Sequence, residues 1–211
     1  MKKILVLTDF SAASDIAVDA AFKLAKLQGG EITIYHRMTK HTNVIFQLNM
    51  TNNYTVYDIT EKVHINSLEK WAKRAETNKI QAYFLSAGGK LLEGVNGFCS
   101  KKNIDLVIMG STGRSNKPTQ WGSNTEKMVK YINYPLLIIK DELKEIAFNK
   151  IVFASNFHIQ EKACFKMFLG LLPIAENGEI HLVSIDTESF LLNLRCLYTK
   201  PWMISSKLQS L

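Results

Sequence analysis

Hydrophobic positions along the chain fall into short runs, and the period within successive runs alternates between that of a buried strand and that of a helix. Residues 3–8 (Lys-Ile-Leu-Val-Leu-Thr) are rich in branched side chains and are ended by Asp9 and Ser11. Such a run suits a strand buried on both faces of a parallel sheet. Ile16, Ala17, Ala20, Leu24 and Leu27 then recur at helical spacing, with Ser11 placed as N-cap and Gly29-Gly30 as the stop. Residues 31–36 (Glu-Ile-Thr-Ile-Tyr-His) predict a second strand, reached by a right-handed crossover. Residues 37–57 are polar and read as a long loop with a helical turn around Val44 to Leu48. Loops of this length inside a compact domain are uncommon and often functional.

The alternation continues. A helix over 60–77 carries Val63, Leu68, Trp71, Ala72 and Ala75 on its apolar face, and residues 80–85 predict a third strand. A helix over 89–102 turns Leu91, Leu92, Val95, Phe98 and Cys99 inward, although Gly94 and Gly97 each cost about 1 kcal/mol relative to alanine. Residues 105–109 predict a fourth strand, 110–121 a glycine-rich polar loop, 124–132 a helix and Pro135 to Ile139 a fifth strand. Five apolar strands alternating with four helices give an α/β fold, an open five-stranded parallel sheet with helices on both faces, for which the order 3-2-1-4-5 is expected. Ligands of such sheets bind beyond the strand C-termini, where the order reverses. Asp9 and Gly110 end the two strands that are neighbours at that point.

The opening recurs. Residues 150–157 (Lys-Ile-Val-Phe-Ala-Ser-Asn-Phe) parallel residues 3–10, a helical stripe of Ala163, Met167, Leu171 and Leu172 follows, and Asn177-Gly178-Glu179-Ile180 parallels Gly29-Gly30-Glu31-Ile32 before a strand over 179–185. From about 188 there is no strand, glycine loop and helix to continue the copy, and Asn156 stands where the first copy has Asp9. The expected organisation is one domain over 1–142 and an incomplete second domain over 148–211, structural rather than ligand-binding, that leans on the first or belongs to a shortened chain.

Composition narrows the function classes. Of 211 residues, 46% are hydrophobic and 21% charged, as in a globular protein rather than a disordered one. No apolar run reaches the roughly 18 to 20 residues of a membrane span, and Thr8 and Asp9 interrupt the N-terminal run too early for a signal peptide, so a cytoplasmic location is expected. The three cysteines, Cys99, Cys164 and Cys196, form no CxxC pair, and the five histidines show no metal spacing. The net charge of +7 is scattered, which reads as a solvated surface rather than a nucleic-acid face.

The chemistry sits in Met109-Gly110-Ser111-Thr112-Gly113 and, eight residues on, Gly122-Ser123-Asn124-Thr125-Glu126. Glycines between a strand and a helix let a backbone approach a ligand closely, successive N–H groups make an anion nest, and the opening of a helix adds its dipole. Ser123 with Glu126 also fits a capping box. Neither a GK[ST] phosphate loop nor a GxGxxG dinucleotide motif is present. Arg114 follows the nest at a place from which it could reach a phosphate, or stand solvated. His36, at a strand end, reads as a satisfied structural histidine.

The opening Lys-Ile-Leu-Val-Leu-Thr-Asp-Phe-Ser, the strand Asp-Leu-Val-Ile-Met-Gly and the Gly-x2-Gly-x(8)-Gly-Ser loop resemble the universal stress protein family over about residues 1–140, and the repeat from 150 resembles its tandem members. The resemblance implies an ATP-binding stress-response or regulatory protein, with or without Mg. It implies that Asp9 meets the adenine, that Met109 and Gly110 line base and ribose, and that Gly113, Gly122, Ser123 and Asn124 hold phosphates. It also implies pairing of two copies, or of two domains, through the fifth strand. This chain differs from the family in the eight-residue spacing, with Pro118 inside, and in Arg37, which follows His36 where family members carry a small apolar residue. That arginine could stack on the base, pair with phosphate or obstruct the cavity.

Two alternatives belong to other classes. The same fold could be an interaction module that binds no nucleotide and dimerises through Leu136 to Ile139. An enzyme of the adenine-nucleotide α-hydrolase type needs a serine- and glycine-rich loop after the first strand, and Thr8 to Ala13 contains no glycine. No general base or serine–histidine–acid signature is identifiable, so a binding protein rather than an enzyme is expected, with weak ATP hydrolysis left open.

Overall fold

The structure is a computed structural model that describes residues 2–38, 44–48, 65–111, 122–140, 148–159, 161–184 and 195–199. The chain divides into two compact units, Met1–Ile146 and Ala147–Leu211.

In the first unit the elements run β1 (Lys3–Thr8), α1 (Ala12–Gln28), β2 (Glu31–Arg37), β3 (Val44–Gln47), α2 (Ile65–Asn78), β4 (Ala82–Ala87), α3 (Leu91–Lys102), β5 (Leu106–Gly110), α4 (Ser123–Tyr131) and β6 (Leu136–Ile139). The sheet order is β3-β4-β2-β1-β5-β6. The five strands from β4 to β6 are parallel in the order expected from the sequence, and Thr8 pairs with His36 at the end of the β1–β2 ladder.

The sixth strand is a departure. Val44 to Leu48 reads in the sequence as a helical turn, yet Val44–Gln47 pairs antiparallel with β4, Val44 opposite Ser86 and Gln47 opposite Tyr83. Val44, Ile45 and Phe46 are strand-favouring types, and β3 satisfies an edge of β4 that would otherwise be open. A run of four residues is too short for its period to decide between strand and helix. The helix read over 60–77 is described from Ile65, and residues 60–64 lie outside the described part.

The core follows from strand alternation. On one face Leu5, Leu7, Tyr35, Leu85, Val107 and Met109 pack with Val95 and Cys99 of α3 and Met128 of α4. Ile4, Val6, Ile32, Ile34 and Ile108 point the other way and are buried, with α1 packed on β1, β2 and β5. Cys99 is a core residue, as its place on the apolar stripe predicts, and burial pushes its thiol up to about 12. Helix α1 starts at the Ser11 cap, whose side chain accepts from the Ser14 N–H, and stops at Gly29 in the left-handed conformation, φ 65°.

In the second unit, β7 (Phe148–Ala154), α5 (Glu161–Leu171), β8 (Ile174–Ser184) and β9 (Arg195–Thr199) form a three-stranded sheet of order β7-β8-β9 with α5. β7 and β8 are parallel, as β1 and β2 are. Phe153, Phe165 and Phe168 form an aromatic cluster around Ile151 and Ile180. Two features differ from the sequence reading. β8 begins at Ile174, ahead of Asn177-Gly178, because Pro173 stops the helix earlier than the glycine pair would. The tail, where no strand was expected, contributes β9, which pairs antiparallel with β8 from Ile180↔Thr199 to Ser184↔Arg195.

Candidate functional site

β1 lies between β2 and β5, so its C-terminus is the place where the sheet order reverses. A cavity of about 250 Å³ opens there. Its lining comes from the ends of β1, β2 and β5 and from the first turns of α1, α3 and α4. Among the sequence-derived candidates it gathers Asp9, Arg37, Met109, Gly110, Gly122 and Asn124. Ser123 is exposed and is not part of the lining. Gly113 and Arg114, with the rest of the loop over 112–121 including Pro118, lie outside the described residues.

The β1–α1 turn is built by hydroxyls. Thr8 Oγ1 accepts the Phe10 N–H at 3.0 Å and lies 3.1 Å from Ser14 Oγ. Phe10 adopts φ 62°, a left-handed conformation that costs an ordinary residue about 1 kcal/mol or more. Its ring stacks on the buried Trp71 at 5.5 Å and meets His36 edge-on at 4.8 Å, contacts that hold the turn. Asp9 follows Thr8, and its Oδ1 accepts the Ser11 N–H at 3.0 Å. Partial burial works to raise the Asp9 carboxyl. Hydrogen bonds from the Ser11 hydroxyl and backbone and from the Ser14 hydroxyl outweigh it, so the group is held below its ordinary value and is ionised at neutral pH.

On β2, His36 lies with Nδ1 3.0 Å from the Thr8 carbonyl oxygen, a geometry in which the ring N–H donates. The histidine is therefore satisfied by the neighbouring strand, as the sequence suggested. Arg37 is exposed at the cavity wall, and the cavity remains open beside it.

On the far side, Met109 is buried and Gly110 closes β5. Gly110 lines the cavity and also has a packing role that the sequence does not reveal. A Cβ there would collide with the Ala13 carbonyl group and the Ser14 nitrogen, so this glycine first serves the close approach of β5 to α1. The capping box is also corrected. Gly122 is the N-cap of α4 with φ −65° and offers no side-chain cap, Ser123 is the first helical residue, and Glu126 is engaged by Lys130 at 2.7 Å. Gly122 needs no positive φ, and a Cβ there would meet nothing within 4 Å. A helix that starts on a glycine has no cap hydroxyl to satisfy its first N–H groups, which suits it to an anion.

Sequence reading missed a second layer of hydroxyls. Ser111 and Thr125 are both buried in the lining, with Thr125 Oγ1 3.5 Å from Ser111 Oγ, and Ser111 donates its N–H to the Ile139 carbonyl. Both belong to the glycine-loop motif, where they passed for spacers. Tyr35 was missed as well, because an aromatic inside an apolar strand looks like core. Among the described residues there is no group of three or more histidines, cysteines or carboxylates able to hold a metal ion, and no helix long and apolar enough to cross a membrane.

Comparison with known proteins agrees with this architecture. The universal stress protein family pattern matches residues 1–140. Universal stress protein YxiE of Bacillus subtilis is 28% identical over 145 residues, covering 65% of this chain and 98% of the relative. Universal stress protein MJ0577 of Methanocaldococcus jannaschii is 28% identical over 154 residues, covering 66% and 94%. The solved structure of MJ0577 covers 68% of this chain and 98% of its own, with a TM-score of 0.50 and 25% identity. A universal stress protein from Archaeoglobus fulgidus covers 99% of this chain and 71% of its own at TM-score 0.57 and 16% identity, a likeness of fold alone. With the family pattern matching most of its length, the chain belongs to the universal stress protein family.

Proposed function

We propose that the first unit binds an adenine nucleotide, ATP or a relative of it, and that the chain acts as a cytoplasmic stress-response regulator through that occupancy rather than as an enzyme. The observation that carries this is the cavity at the sheet's reversal point, where the ionised Asp9 and the glycine-capped start of α4 face one space. Asp9 accepts from the adenine amino group, Met109 and Gly110 border base and ribose, and the first turn of α4 at Gly122, Ser123 and Asn124, with the outlying Gly113 and Arg114, takes phosphate. The cavity lies just under the roughly 300 Å³ at which small-molecule sites begin, which suits a nucleoside moiety with its phosphates extending along α4. Any Mg arrives with the phosphates. The second unit is an incomplete copy of the first that carries no nucleotide.

A second reading has its own observation. β6 ends the sheet order and pairs with β5 on one side, so Leu136 to Ile139 is an edge fit to meet a second copy, with or without nucleotide.

The test is direct. Denaturing the purified protein releases an adenine nucleotide, or the apo protein melts higher on adding ATP. At 100 times Kd the stabilisation is about 2.7 kcal/mol. That is a shift of roughly 5–10 °C for a chain of this size. Gly122→Ala removes the shift, since its methyl enters space that is open in the free protein. An unchanged melt at millimolar ATP and AMP overturns the nucleotide reading and leaves the interaction module.

A further inference from the structure

The turn that carries Asp9 is fastened from outside the cavity. Thr8, Asp9 and Ser11 line the cavity, whereas Phe10, between them, does not. The Phe10 ring stacks instead on Trp71, with centroids 5.5 Å apart and planes inclined by 17°. It also meets His36 edge-on at 4.8 Å and lies 6.2 Å from Phe84. Asp9 is joined to Phe10 by one peptide, so the seat of the ring limits where the carboxylate can stand.

Trp71, in the middle of α2, is 0% exposed and is not part of the cavity lining. Its helix is tied to α1 by Lys70 with Asp15 at 3.4 Å, by Arg74 with Asp19, and by the Arg74 guanidinium 5.3 Å over the Phe22 ring. The indole is therefore a fixed surface. Its Nε1–H has no acceptor among the described residues, a penalty that phenylalanine or leucine would not carry. What the indole offers in return is a broad flat face, and stacked aromatic pairs attract beyond the area that they bury.

The second unit separates the backbone of this turn from its fastening. Phe157 has the same left-handed conformation, φ 57°, and Ser155 Oγ accepts its N–H at 2.9 Å, yet its side chain is 49% exposed. A hydroxyl is thus enough to form the turn. The buried stack is added in the first unit, where the turn carries Asp9 at a cavity, and Asn156 takes the place of that aspartate in the second.

We propose that Trp71 and Phe10 are positioning residues of the nucleotide site: their stack sets Asp9 at the cavity rim, so that α2 governs nucleotide affinity without touching the ligand. The inference rests on the nucleotide reading above. By reciprocity, whatever shifts α2 alters nucleotide binding, and bound nucleotide holds α2 in place by the same factor.

Titration calorimetry with ATP and AMP, each protein held below its own melt, tests it. Trp71→Leu keeps an apolar filling and loses the stack; it lowers affinity about tenfold, the lower end of what a hydrogen bond to a charged group is worth. Trp71→Phe restores a ring and recovers most of that loss. Asp9→Ala weakens binding by itself, and adding Trp71→Leu to it costs less than about twofold more, since no carboxylate is left to position. Leu24→Ala, a buried site about 18 Å along α1 from the turn, lowers Tm and changes affinity less than about twofold. Should Trp71→Leu not fold, Phe10→Leu gives the same readings from the other side of the stack. If the variants at 71 and 10 bind like the parent, if the Asp9 and Trp71 losses add in full, or if Leu24→Ala weakens binding equally, the positioning role is overturned while the nucleotide reading stands. If the parent binds neither nucleotide, both fall together.

Discussion

Gly110→Ala separates the packing role of this glycine from its place at the cavity. Gly110 ends β5, and a methyl added to it would drive into the Ala13 carbonyl carbon and oxygen and the Ser14 nitrogen. These are backbone atoms in the first turn of α1, fixed by the Ser11 cap, and they cannot swing aside as a flexible side chain would. Overpacking a tight site costs about 1–3 kcal/mol, and an obstacle made of backbone belongs at the upper end, about 2–3 kcal/mol. For a domain of this size each kcal/mol moves Tm by about 2–4 °C, so a loss of roughly 4–12 °C is expected. Gly122→Ala is the matched control, with φ −65° and no atom within 4 Å of the added carbon. Exchanging glycine for alanine at an N-cap should cost only about 1 kcal/mol or less. Scanning calorimetry of the ligand-free variants reads both. Equal losses in the two, or a Gly110→Ala protein as stable as the parent, would refute the assignment of Gly110 to the α1 contact.

Two further outcomes follow from the same geometry. The Asp9 carboxyl is held below its ordinary 3.8, so its contribution to stability is present above that value and is lost as pH falls through the lowered value; urea midpoints of the parent and Asp9→Asn should converge on acidification below about pH 4, and a gap independent of pH sinks the claim. Gly94→Ala should destabilise the parent through the Tyr35 hydroxyl yet stabilise a Tyr35→Phe background by up to about 1 kcal/mol, the helix preference for alanine; a double-mutant cycle in urea with no coupling contradicts the contact.

The parallel strands were legible because burial on both faces writes continuous apolar runs, while the order of the central five was an expectation for this fold class that the sheet bears out. β3 and β9 were not, since each is a short antiparallel addition whose pairing depends on an edge that only the folded sheet presents. The site divides in the same way. Asp9, Gly110, Gly122 and Asn124 could be found because strand and helix ends mark the reversal point, Arg37 and Met109 through the family resemblance, and all six line one cavity. What the sequence could not tell was the reason for each residue. Gly110 lines the cavity but is also required by the contact with α1, while Ser123 looked like a cap and gives that place to Gly122. Tyr35 carries no signal at all until its hydroxyl is seen against Gly94 without a partner among the described residues.

The opening turns of the two units differ in a way that supports assigning the proposed chemistry to the first. Both turns use a left-handed phenylalanine, Phe10 at φ 62° and Phe157 at φ 57°, and both fix it by a hydroxyl that accepts its N–H, Thr8 in one and Ser155 in the other. They diverge at the next contact. Thr8 meets the hydroxyl of Ser14 at 3.1 Å, whereas Ser155 donates to the carboxylate of Glu161, which also accepts the Asn156 N–H at 3.1 Å. In the first turn the negative charge sits on Asp9, at the cavity rim, where it can meet a donor from outside. In the second, Asn156 is neutral and the charge has moved into the first turn of α5, where it satisfies the turn's own donors and the helix dipole. An anion approaching that turn would meet a carboxylate already in place. One strand–turn–helix scaffold thus supports either an open acceptor or a closed internal salt of dipoles and charge, and two residues separate them: aspartate or asparagine at the strand end, and serine or glutamate in the first helical turn.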